Sequence, residues 1–191
     1  MQHQYTGQLT GDAAADALLA SSPLALLLGM LLDQRMPMER AFLGPYRMQE
    51  RLGHLDAVRI ATMDPDDLEA VFRKPPAVHR YPASMAGRAG DLCRMLVEEH
   101  DADAQALWRD VDDAALLRRR LAALPGFGPQ KVKVFVALLA KQCGVRPAGW
   151  EIVAGEYAEE GYQSVADVVV FDDIAAVRET KQAKKAAARR D

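Results

Sequence analysis

The sequence predicts an all-α fold, and three observations predict it. Half of the residues are hydrophobic while aromatics make up only 6%, and alanine is abundant, a balance that suits helices better than pleated sheets. No stretch alternates apolar and polar residues with a period of two; Val168-Val169-Val170-Phe171 is the one β-like run, and it stands alone. Successive segments instead begin at capping residues and end at glycine, proline or serine, as helices do.

Taken in order, residues 1–11 read as a poorly ordered lead. Gly11 or Asp12 can cap a first helix over 13–20, which stops at Ser21-Ser22. Pro23 opens the next, whose run over 24–32 is apolar on every side and therefore belongs in a core. Asp33-Gln34-Arg35-Met36-Pro37 breaks it, and another helix follows to about Met48. A short helix is expected over 57–61, then one over 65–72 capped by Asp64, with Asp66, Asp67 and Glu69 suited to its positive end. Lys74-Pro75-Pro76 ends that helix, residues 77–82 form a loop, and Ser84 can cap a helix that runs to His100. Leu107 and Trp108 read as core. Helices over 114–123 and 130–142 flank a tight turn; on the second, Val132, Phe135, Val136 and Leu139 make one apolar stripe, and Gly144 ends it. After a loop over 145–149 come a helix over 150–159, a short capped one over 164–170 and a last one from Asp172, with a solvated basic tail at 181–191.

The bulk numbers bound the function. A chain of 191 residues can form one unit with a proper core. Its apolar run over 24–32 stops at Asp33, well short of a membrane span. The N-terminus has no basic region followed by an apolar one, so no secretion signal is expected, and a cytoplasmic, monomeric protein is the simple reading. Cys93 and Cys143 are too few for a disulfide framework and suit reduced thiols. No His, Cys and acid grouping has zinc spacing. Net charge is −3, yet six basic residues and no acid lie over 118–141, while seven acids lie over 98–113. Nucleic-acid binding depends on the local face rather than the sum; a polarised but solvated surface accounts for the same pattern.

The turn Leu124-Pro125-Gly126-Phe127-Gly128-Pro129-Gln130-Lys131 organises the chain. Its two glycines permit positive φ and close approach, and Pro129 suits the first position of a helix. The amides that open that helix face outward with the positive end of the dipole behind them, which is an anion site suited to phosphate. An ordinary helix–helix turn with glycine is the plain alternative.

LPGFG opening a helix resembles the helix-hairpin-helix of the HhH-GPD DNA glycosylases, the endonuclease III and adenine glycosylase group. LALLLGMLLDQRMPMERA is similar to their early segment, and YPASMAGRAGDLCRMLVEEHDAD to their helix before the hairpin. The likeness covers about residues 20–155. It implies a two-lobed helical unit: one lobe over 21–142 with the hairpin at 114–142, the other joining 1–20 to 143–191. It implies that double-stranded DNA is the partner, with Gly126, Phe127, Gly128, Gln130 and Lys131 at the backbone and Gln34 filling the gap left by an extruded base. His79 and Tyr81, on a loop, would line the base pocket; an ordinary exposed loop is the alternative. A monovalent cation at the carbonyls of Ala122, Leu124 and Phe127 is also implied.

The chain departs from that family in three places. Two residues past Gly128 stands Gln130, which cannot attack a sugar, and Lys131 points about 100° away on a helix; lyase chemistry is not expected. The family's Asp after the second hairpin helix is missing, since the first Asp past Gln130 is Asp167. Glu151 is the nearest acid and the candidate catalytic carboxylate, with a solvated first-turn Glu as the alternative. Two cysteines cannot supply a four-Cys iron–sulfur loop, so no cluster is expected. The leading expectation is a monofunctional glycosylase for base excision repair. The alternatives are a catalytically silent protein that recognises distorted duplex, and a helical interaction module that does not bind DNA.

Overall fold

The computed structural model describes residues 5–189. Among these the fold is all-α, with helices α1 (Ala13–Ser21), α2 (Pro23–Leu32), α3 (Met38–Leu52), α4 (Ala57–Ala61), α5 (Pro65–Arg73), α6 (Pro82–Glu99), α7 (Ala114–Ala122), α8 (Pro129–Gln142), α9 (Trp150–Ala154) and α10 (Asp173–Ala187). Three 3-10 turns, Ala104–Leu107, Gly155–Ala158 and Val165–Asp167, fill the connections. Extended pairing among the described residues is limited to one bridge, Asp113 with Ala148.

Local chemistry sets most boundaries. Asp12, Ser22, Asp56, Asp64 and Asp113 each accept a backbone amide at the start of their helix. Ser22 also donates its own amide to Leu18, so one residue closes α1 and opens α2, and the two helices bend by 113°. No single described helix is long and apolar enough to cross a membrane. Every residue from Leu24 to Leu32 is buried, because α2 is apolar all round. Gly29 lets α3 approach it closely: a Cβ there would lie 2.6 Å from Phe42.

The packing places α4 and α5 on α6, and α3 on α2. α7, α9 and the turns Gly155–Ala158 and Val165–Asp167 surround α8. That explains why α8 is more buried than its stripe predicts. Val132, Phe135, Val136 and Leu139 are buried, and so are Val134, Ala137, Leu138 and Ala140.

Four expectations change. The lead is packed over its described part: Tyr5 and Leu9 are buried, Gln8 donates to the Val169 carbonyl at 2.9 Å, and the Asp16 carboxylate gathers the amides of Leu9 and Thr10. Residues 1–4 of the lead and 190–191 of the tail lie outside the described residues. α6 begins at Pro82 rather than after a Ser84 cap, since proline suits the first helical position. The helix expected over 150–159 stops at Ala154, because Gly155 takes φ +59 and turns the chain into a 3-10 turn. The capped segment near Ser164 is a 3-10 turn with a capping box, Val165–Asp167, and not a longer helix.

Candidate functional site

The hairpin corner is pressed against the end of α2. The Phe127 amide donates to the Leu124 carbonyl at 3.1 Å and closes the turn; that carbonyl is one of the three the resemblance gave to a cation. Gly126 has φ +79, and a Cβ there would stand 2.7 Å from Leu31 and 3.5 Å from Arg88. Glycine is therefore required by backbone conformation and by the closeness of α2. Phe127 is 5% exposed and meets Phe135 edge-on at 6.0 Å, so its side chain anchors the turn in the core.

Gly128 is different. Its φ is −73, it is exposed, and a Cβ on it would have nothing within 4 Å. Positive φ, expected at both glycines, occurs at Gly126 alone. Gly128 caps α8 with no side-chain hydrogen bond, and Pro129 takes the first helical position without an amide. The amides of Gln130 and Lys131 thus open the helix behind an exposed corner. The Gln130 side chain donates to the hydroxyl of Tyr157.

Lys131 turns back from the surface. Its Nζ donates to the Leu31 carbonyl at 2.6 Å and lies 5.7 Å from the Phe127 ring centroid. The contact puts a cation on the C-terminal end of α2, where the dipole favours it. Burial pushes its pKa down to about 8, Asp33 pulls it back up and Arg88 lowers it further.

The turn after α2 is held by a buried histidine. The Asp33 amide donates to Gly29 and Met30, and the Gln34 amide to Leu32 at 2.7 Å. His79 is 1% exposed; its Nδ1 accepts the Tyr81 amide at 2.9 Å, so its Nε2 carries the proton and donates to the Gln34 carbonyl at 3.1 Å. Burial holds its pKa below the ordinary value. With both nitrogens used, His79 positions the Gln34 turn and does not reach for a base. The Gln34 side chain, partly exposed, rests its amide on Met85 Sδ at 2.8 Å. Tyr81 is 42% exposed, with Arg80 over its ring at 5.6 Å and His79 tilted beside it at 6.0 Å.

Glu151 sits on α9, which packs against both α7 and α8. It is exposed at the second position of α9. The loop before it is tied to the start of α7, where the Ala114 amide donates to Ala148 at 3.0 Å and the Ala148 amide to Asp112 at 2.8 Å. That end of α7 is roughly 13 Å from the hairpin turn by helical rise.

The carboxyl at the corner is Asp33, which the sequence reading treated only as a helix breaker. It is partly buried; burial pushes its pKa up, Lys181 and Lys131 pull it down, and Glu39 pushes it up. Its signal in the sequence is an acid set directly after an all-apolar helix and before Gln34. Arg88 was missed as well, and no local pattern marks it. The corner therefore gathers Gly126, Gly128, Lys131, Gln34 and the His79 loop. Among the described residues no group of three His, Cys, Asp or Glu side chains could hold a metal ion. No protein-family model, curated protein or solved structure matches the chain.

Proposed function

We propose that the chain is a base excision repair protein of the HhH-GPD kind, a monofunctional DNA glycosylase that flips a damaged or deaminated base from duplex DNA and removes it. One observation carries the reading. Gly128 has ordinary φ and open space on its outer side, so neither strain nor internal packing asks for glycine there. A close external partner does, and the uncapped amides behind it suit a phosphate. Gln34, on a turn braced by His79, stands beside that corner as a group able to fill the gap of an extruded base, whose removal from the stack costs a few kcal/mol. The protein would act as a monomer on double-stranded DNA, without an iron–sulfur cluster. A cation at the hairpin carbonyls remains part of this reading.

A catalytically silent binder of distorted duplex is the second reading, favoured by the missing family Asp after the second hairpin helix. Incubation with duplexes bearing uracil, hypoxanthine, an alkylated purine or 8-oxoguanine separates the two. The enzyme leaves alkali-labile abasic sites on at least one duplex and no borohydride-trapped adduct, because the Lys131 amine is held by the Leu31 carbonyl. Retarded bands without abasic product support the silent binder. Neither product nor retardation leaves a helical module with no role in DNA.

A further inference from the structure

We infer that Asp33 is the catalytic carboxylate of this corner, the group that takes the proton of the attacking water. The inference rests on the glycosylase reading above. Asp33 directly precedes Gln34, and the Leu31 carbonyl two residues earlier holds Lys131. The Leu31 side chain is the one that abuts Gly126. The carboxylate therefore stands at the junction of the two turns expected to meet the strand.

It is also an acid of this corner that no cation among the described residues pairs with directly. Among the described residues nothing hydrogen-bonds its side-chain oxygens. The neighbouring acids each hold a cation: Glu39 pairs with Arg178 through Oε1, its Oε2 buried without a partner among the described residues, and Glu156 pairs with Lys184 at 2.5 Å. Three elements face it, with Lys131 from α8, Lys181 from α10 and Glu39 from α3. Arg88 of α6 faces Lys131 in turn. Burial makes the carboxylate a stronger base than a solvated one.

The step balances without a further reactant. The water oxygen bonds to the anomeric carbon as the carbon–nitrogen bond breaks. The bonding pair leaves with the base, which takes a proton from solvent. The proton released by the water goes to Asp33, and the ionised carboxylate before that transfer faces the cationic sugar.

The test compares wild type, Asp33→Asn and Glu151→Gln in single-turnover removal of the base that wild type accepts, with duplex binding measured beside it. Asp33→Asn is expected to slow removal by about a hundredfold or more while duplex binding persists, and Glu151→Gln to leave the rate unchanged. The acid limb of the wild-type pH–rate profile should lie above the ordinary carboxylate range and vanish from the residual activity of Asp33→Asn. If Asp33→Asn does not fold, Asp33→Ser takes its place. Base removal that is normal in the Asp33 variant, or lost only in Glu151→Gln, overturns the inference and leaves the glycosylase reading standing. Wild type that binds duplex but yields no abasic site, or does neither, overturns both together.

Discussion

The two ends of α8 are treated in opposite ways. At the C-terminal end the protein supplies a partner for nearly everything. The amides of Cys143 and Val145 both donate to Leu139 at 3.0 Å. Gln142 is buried, donates to the Ala166 carbonyl at 3.0 Å and accepts the Thr6 hydroxyl at 3.3 Å. Lys141 meets Asp167 at 2.6 Å. At the N-terminal end no side chain caps the helix, Gly128 and Gln130 are exposed, and the nearest cation is turned inward onto Leu31. Helix ends carry similar unmet needs, so the difference is not one of backbone chemistry. Donors left to water cost little and can be taken over by an outside anion, whereas donors and acceptors buried by the N-terminal lead and the Val165–Asp167 turn must be satisfied from within.

Three measurements break or sharpen that contrast. The largest effect is expected at Lys131, in its dependence on pH. Its folded pKa of about 8 lies below the ordinary 10.5, so between those values the unfolded chain binds more protons and stability rises with pH, by up to a few kcal/mol. Denaturant unfolding from pH 7.5 to 10.5 should show the rise as the difference between wild type and Lys131→Met, because the buried Cys93 and Cys143 thiols, pushed up to about 12, lower the stability of both proteins above pH ~9. The same pH dependence in both would mean that this lysine is not desolvated at the open end. Next comes Gln142→Ala at the closed end, which strands the Ala166 carbonyl and should cost about 1–3 kcal/mol in urea unfolding with no change in duplex affinity. A parallel loss of affinity would show that the two ends are not independent. The smallest stability change belongs to Gly128→Asp. Aspartate is a better N-cap than glycine by a few tenths of a kcal/mol, so the variant should be as stable as wild type or slightly more so. Its carboxylate would fill the anion site, and duplex affinity should fall by about tenfold, or roughly 1.4 kcal/mol. Affinity equal to wild type would remove the DNA partner from the open end.

Much of the architecture was legible from residues acting on their neighbours. Asp12 and Asp64 cap helices as their side-chain chemistry requires, α4 spans the expected residues, and the all-round apolar run of α2 is core. The hairpin turn was legible too, as was its reliance on glycine at Gly126. The corner was legible only in part. Gln34 and Lys131 were named, but His79 was given a role facing outward, and both its nitrogens are used inside. Asp33 was passed over because its importance comes from Lys131, about a hundred residues away in the chain.

The boundary between the two kinds of information has a physical basis. Capping, helix propensity and the bend at Ser22 depend on atoms a few residues apart, and the order of residues alone determined them. Tertiary packing decided the burial of Tyr5, the burial of α8 beyond its apolar stripe and the inward turn of Lys131. Desolvation and charge coupling depend on what the fold brings close in space, and no local pattern records that.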